Sequence, residues 1–360
     1  MNSKKNILIL TIITIFTLSN RQANADFVFG EPENLGPTVN SAYLDGIADI
    51  SSDELELYFE SDRPGGRGEN DIWMTKRITV DDDWEPAVNL GAPVNGPKSD
   101  YGPCISRDGL VLYFSSDRPG GTGGADIYMA RRATVANQWE QPENLGPTVN
   151  SSTWDHCPSI SADGLTLVFG SNREKIGTAY SSLCYIYMTT RQTTDNPWSI
   201  PIRLGPAVNP ELAYDSDYPS ISADGLSLFF RHVASEEKGL WVATRTSTSD
   251  SWNRTVDLGI GGASPRFPAD GSIMYLASRR YGGYGDGDLF QVSIEPVVDL
   301  NGDGIVNADD MCIVVDNWGT DNQLCDVGPM PWGDGIVDVH DLVVIAEHLF
   351  EEYPLPETDE

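Results

Sequence analysis

Between Asp299 and Asp310 the chain places oxygen-bearing side chains at a spacing that suits a hard cation. Asp299, Asn301, Asp303, Asn307 and Asp310 stand at positions 1, 3, 5, 9 and 12 of the loop, and Ile305 offers its main-chain carbonyl at position 7. Gly304, at position 6, permits the sharp turn that brings these groups round one point. Calcium takes about six to eight oxygen ligands, so Ca2+ is the cofactor the pattern calls for. A less regular loop follows. Asp334, Ile336, Asp338 and Asp341 fit positions 5, 7, 9 and 12, and Asp326 is the candidate for position 1, with four extra residues between Asp326 and Asp334.

A second set of chemically capable residues recurs upstream. Tyr43 and Asp45, Asp100 and Tyr101, Trp154, Asp155 and His156, and Tyr214, Asp215, Asp217 and Tyr218 each mix acid with aromatic. Sugars stack on aromatic faces and donate hydroxyls to carboxylates, so such a ring suits a glycan or a cation. The candidate ligand-binding residues are Asp100, Tyr101, Trp154, Asp155, His156, Asp215 and Asp217. For Asp45, Asp100 and Asp155 repetition favours a structural duty, because a packing role recurs in every repeat and a unique site does not. The same logic assigns Asp62-Arg63 and Asp117-Arg118, each followed by Pro-Gly-Gly, to turn chemistry. There is no nucleophile elbow, zinc-spaced histidine cluster or phosphate loop, and four histidines leave little room for a His-based triad.

These residues must be held by repeats. An aromatic residue followed seven positions later by Leu-Gly's glycine occurs at Phe29, Trp84, Trp139, Trp198 and Trp252, at spacings of 55, 55, 59 and 54 residues. A Ser-x-Asp-Gly type turn leading into an apolar run recurs around Asp53, Asp108, Asp163, Asp224 and Asp270. A third signature is a short strand such as Asp71-Ile72-Trp73 or Asp126-Ile127-Tyr128. Each unit reads as four short strands. An isolated four-stranded sheet cannot bury both faces, but sheets fanned about an axis can. The chain opens with a lone fourth strand, Phe29 to Gly36, and its repeats end on a third strand, Asp288 to Ile294. The expected fold is therefore all-β, a five-bladed propeller closed by the N-terminal strand.

The Ser-Asp-Arg-Pro-Gly-Gly stretches, Ser61 to Gly66 and Ser116 to Gly121, resemble the TolB-type, WD40-like PD40 repeat family over residues 27–295. That resemblance implies a propeller, six-bladed in many members, and roles in protein or ligand binding. The C-terminal loops, each followed by an apolar helix (Met311 to Trp318, Leu342 to Phe350), resemble a type I dockerin. This implies a small all-α calcium-loop module that attaches its carrier to a cohesin-like partner. Ala308-Asp309 and Val339-His340 stand where cellulosomal dockerins commonly carry Ser-Thr pairs.

Lys4 and Lys5, the apolar run Ile7 to Leu18 and Ala23-Asn24-Ala25 form an export signal with cleavage before Asp26. The expected organisation is a signal peptide (1–25), a propeller (26–296), a dockerin-like module (297–353) and an acidic tail (354–360), in a secreted or cell-surface protein without a membrane span in the mature chain. The net charge of −31 excludes nucleic acid and anionic membranes as partners. Every Lys and Arg lies at or before Arg280. Five cysteines are an odd number for an oxidising compartment. Cys312 with Cys325, and Cys157 with Cys184, could close loops; buried free thiols are the alternative. Two functions follow. One is a non-catalytic propeller recognising a glycan or protein ligand. The other is a glycoside hydrolase, or an accessory of polysaccharide breakdown, with carboxylates at the channel mouth.

Overall fold

The computed structural model of the chain describes residues 27–174, 184–210, 215–233, 238–268, 271–280, 282–320, 322, 325–328 and 336–352. The export segment, Tyr214, Asp334 and the acidic tail lie outside the described residues. Five antiparallel sheets form the blades. Blade 1 runs through Asp45–Ile50, Glu56–Ser61, Asp71–Lys76 and Val88–Asn89. Blade 2 is Asp100–Ile105, Val111–Ser116, Asp126–Arg131 and Glu143–Asn144. Blade 3 is Asp155–Ile160, Thr166–Ser171, Tyr185–Thr190 and Ile202–Arg203. Blade 4 is Asp215–Ile221, Ser227–Val233, Lys238–Thr244 and Arg254–Asp257. Blade 5 takes Ala263–Arg266, Ile273–Ser278 and Asp288–Pro296 from its own repeat. The N-terminus completes it: Phe29 lies opposite Ile294, and Asn34 opposite Phe290. Each innermost strand packs on the next, and the fifth packs on the first, so the ring is closed.

The second strand of each blade is sandwiched between neighbouring sheets. Its residues are therefore buried on both faces, as at Leu57, Tyr58 and Phe59, rather than alternating. The tryptophan of the Trp…Leu-Gly signature has a fixed partner. Arg77, Arg132, Arg191 and Arg245 stack on Trp84, Trp139, Trp198 and Trp252 at 4.5, 4.4, 4.2 and 3.9 Å. Each guanidinium also donates Nε–H to a carbonyl of the Asp-Gly type turn: Glu54, Gly109, Gly164 and Gly225. The Asp of the third strand closes the preceding loop. Asp126 accepts from the N–H groups of Thr122 and Gly123 and from Asn144 of the fourth strand, and Asp71 and Asp288 repeat this. The glycines of those loops are required by close approach. A Cβ on Gly123 would stand 2.1 Å from the Thr153 carbonyl oxygen, and one on Gly68 1.9 Å from that of Lys98.

After the propeller come two nine-residue helices, α1 (Ala308–Asp316) and α2 (Val339–Glu347). Both begin three residues before the expected starts, because Asn307 and Asp338 act as N-caps in capping boxes with Asp310 and Asp341. The segment is two short helices on long loops, not an all-helical bundle. The two halves exchange backbone: Val306 pairs with Phe350 and Glu351 beyond α2, and Val337 with Gly319 and Thr320 beyond α1. Val298, Val306, Val314, Val327, Val337 and Ile345 form a core of their own. All five cysteines are free, so neither proposed pairing forms.

Candidate functional site

The five innermost strands share a bulge, at Ile47, Gly102, Cys157, Tyr218 and Ser264, with φ of 32°, 59°, 52°, 52° and 55°. Four of these are not glycine, although this backbone region favours it. Register aligns the residues two positions later, Asp49, Cys104, Ser159, Ser220 and Arg266, around the axis. Three of these tie each blade to the next. Asp49 accepts from the Ile105 N–H (2.7 Å), Cys104 from Ile160 (3.4 Å) and Ser159 from Ile221 (3.1 Å).

Arg266 breaks the small-residue pattern and plugs the channel. It is 2 % exposed. Its terminal nitrogens donate to the carbonyls of Pro219 and Pro158 in two other blades, and its Nε lies 3.4 Å from Asp49 Oδ1. Burial raises the Asp49 pKa, against the opposing pull of Arg266. Beyond this plug, where the innermost strands run into the Asp-Gly type turns, a cavity of about 390 Å³ opens. Asp49, Cys104, Ser159, Ser220 and Arg266 line it, and Ser52, Arg107, Ala162 and Asp224 surround them.

The residues singled out from sequence lie at the opposite mouth, and the structure divides them. Asp100 and Asp155 are fully buried and committed: Arg118 and Arg173 bind them, each Arg also donating to a linker carbonyl, Val94 or Val149. Asp45 is held in the same way by Arg63. The loss of Arg-Pro-Gly-Gly in the third repeat is thus only partial, since Arg173 keeps the ion pair. Trp154 is 54 % exposed at the rim, packed on the Gly124 backbone. His156 sits between two thiols, with Nδ1 3.2 Å from Cys157 Sγ and Nε2 3.4 Å from Cys184 Sγ. Burial lowers the His156 pKa to about 4 and raises both thiols, so this trio is uncharged at neutral pH. Asp215 accepts the Cys184 N–H. Asp217 pairs with Arg231 through two bonds, at 2.6 and 2.9 Å, and Arg231 lies over the Tyr218 ring at 4.6 Å.

Glu60 was not anticipated. It is 7 % exposed and faces the bulge of the next blade, where the Gly102 N–H reaches it. Burial, with Asp62 adding to it, raises its pKa to about 8. The equivalent positions carry Ser115, Gly170, Arg231 and Ala277. The signal available in sequence was departure from the repeat. Glu60, Arg231 and Arg266 each stand where sister blades carry a different residue.

In the C-terminal loop the donor chemistry fits a hard cation. Asp299, Asn301, Asp303 and Asn307 present only oxygen acceptors or amides, and the Ile305 carbonyl lies among them. Their oxygens take main-chain N–H groups: Asp299 from Gly302, Asp303 and Gly304, and Asp303 from Ile305. Asp310 is fully buried and accepts from Leu300, Asn301 and Asn307, which makes it a loop clamp. Asp341 repeats this with Gly328 and Asp338. Among the described residues no three His, Cys, Asp or Glu side chains gather closely enough to hold a metal by themselves. Asp326 is buried.

No protein-family profile and no curated relative matches the chain. Solved structures similar to it include TolB from Acinetobacter baumannii, at 14 % identity over 75 % of this chain and 63 % of that one, with a TM-score of 0.45. A putative TolB from Agrobacterium tumefaciens matches at 14 % identity over 75 % of this chain and 98 % of that one, TM-score 0.43. A family 117 glycoside hydrolase from Zobellia galactanivorans matches at 11 % identity over 75 % and 90 %, TM-score 0.49. The chain thus spans under two thirds of the first of these. The likeness is one of propeller fold.

Proposed function

We propose that the chain is an exported, non-catalytic binding protein. The propeller takes the end of a glycan in the cavity below Arg266, where hydroxyl and amide-like partners (Ser159, Ser220, Ser52) and one cation (Arg107) surround an uncharged space. The C-terminal module holds Ca2+ through Asp299, Asn301, Asp303, Ile305 and Asn307 and serves as a dockerin-like attachment to a cohesin-like partner. The observation that carries the binding reading is the fate of the axial carboxylates. Asp45, Asp100, Asp155 and Asp217 are each paired with an arginine, and Asp49 lies beside Arg266. Hydrolysis of a glycoside needs two carboxyls free to act on one bond.

One observation favours the hydrolase reading: Glu60 is a carboxyl held protonated near neutral pH, as a general acid must be. The experiment that separates the two is a screen of polysaccharides with the full chain. Binding without released reducing sugar, blocked by Ala162→Trp at the cavity rim, supports the binding reading. Released sugar that Glu60→Gln abolishes replaces it with hydrolysis. Calorimetry with Ca2+ tests the module, and affinity unchanged by Asp303→Ala defeats that part.

A further inference from the structure

Above Arg266, on the side away from the cavity, lies a compartment whose polar groups lack partners. Tyr101 Oη and Ser264 Oγ are both buried with no hydrogen-bond partner, and Ser264 is 1 % exposed. Ser264 holds a left-handed conformation with φ of 55° and is the bulge residue of blade 5. Glu60 comes from blade 1, Tyr101 from blade 2, Cys157 from blade 3, and Asp217, Tyr218 and Arg231 from blade 4. Electrostatic coupling of Tyr101 to Glu60, Cys157 and Tyr218, and of Cys157 to Glu60, Asp217 and Arg231, places these side chains about one centre. The two formal charges of Asp217 and Arg231 cancel against each other.

A protonated carboxyl, a phenol and a serine hydroxyl each donate and accept one bond at the same oxygen. Their natural complement is another group that does both, an alcohol. A buried polar atom without a partner costs about 1–3 kcal/mol, so two such atoms together mark a place that something fills. We propose that this compartment is a second ligand site, distinct from the cavity beyond Arg266, which binds hydroxyl groups of a neutral polyol or sugar entering past Trp154. Glu60, Tyr101 and Ser264 make the hydrogen bonds, and Arg266 separates the two sites.

The site is linked to protons through Glu60. The groups facing Glu60 are Asp62 on its own blade, the Gly102 N–H and Tyr101 of blade 2, Cys157 of blade 3 and Tyr218 of blade 4. None is a cation, so nothing holds Glu60 ionised when the ligand arrives. With its pKa raised to about 8, Glu60 keeps its donor at neutral pH and loses it in alkali.

The test is calorimetry on the full chain, saturated with Ca2+, using glycerol, xylose and galactose as probes. At least one probe binds at pH 7. Tyr101→Phe and Ser264→Ala weaken that binding about five- to tenfold, the loss of one buried hydrogen bond. Between pH 7 and 9.5 wild-type affinity falls about thirtyfold, following the protonated fraction of Glu60. Glu60→Gln, which keeps a donor and an acceptor, binds within about threefold of wild type at pH 7 and removes the pH dependence. Ala162→Trp, at the far mouth, leaves all of this unchanged even where it blocks glycan binding in the cavity.

The proposal is overturned if no probe binds, if Ala162→Trp abolishes binding, or if Glu60→Gln abolishes it. A divalent cation whose affinity rises with pH and vanishes in Glu60→Gln would assign the compartment to a metal instead, and overturn it equally.

Discussion

Replacing Glu60 with glutamine should change stability in a way that depends steeply on pH. In the folded chain the Glu60 carboxyl is buried, and its pKa is raised from 4.5 to about 8. The folded state therefore holds this proton more tightly than the unfolded chain does. Its contribution is fully present below pH 4.5 and is lost as pH rises through about 8. At 1.36 kcal/mol per unit, a shift of roughly three and a half units amounts to about 5 kcal/mol, an upper figure because the bulge can relax around a charge. Glutamine carries no proton to lose. Glu60→Gln should then be within about 1 kcal/mol of wild type at pH 5 and more stable by several kcal/mol at pH 9. The assay is urea unfolding at pH 5, 7 and 9, read as the wild-type-minus-variant difference. Taking the difference removes His156, whose depressed pKa works in the opposite sense: its contribution is present above pH 6.5 and lost as pH falls through about 4. A difference that stays flat between pH 5 and 9 would show that Glu60 is solvated or ion-paired, and would refute the reasoning.

Four other outcomes follow from the packing. Gly123→Ala should destabilise the propeller by about 2 kcal/mol or more, because the added methyl meets the Thr153 backbone at 2.1 Å; thermal unfolding should show it, while Gly120→Ala, with open space but a φ of 97°, should cost less. Arg173→Ala leaves the fully buried Asp155 without its counter-charge and should cost about 3–5 kcal/mol, measured as a fall in the urea midpoint. Removing residues 27–36 strips blade 5 of its closing strands, so limited proteolysis should cut first in the 263–296 region rather than uniformly. Phe350→Gly should stabilise the C-terminal module slightly, by about 0.5–1 kcal/mol: Phe350 is 81 % exposed at φ 72°, where its counterpart Gly319 sits at 73°. Amide exchange in α1 and α2 would report the gain.

The number of blades, the order of strands and the closure by Phe29–Asn34 were legible in the chain before any coordinates, because each depends on local repetition. A repeat that buries an aromatic core must present the same turn, the same strand and the same Trp…Leu-Gly at each recurrence, and the register of Phe29 against Ile294 follows from which piece is missing. The structural duty of Asp100 and Asp155 was visible for the same reason, as was the loop chemistry of Asp299 to Asp310. Tertiary structure alone decided the site. The two ends of a channel are equivalent to a sequence reader, and the acid–aromatic clusters drew attention to one mouth while the open cavity lies at the other. Arg266 and Glu60 gain their roles only when five strands converge and a long side chain meets carbonyls from blades far away in sequence, such as Pro158, more than a hundred residues distant. Local propensity fixes what repeats. The desolvation that shifts a carboxyl's pKa, or turns an arginine into a plug, depends on what surrounds the axis, and those neighbours are brought there by the closed ring.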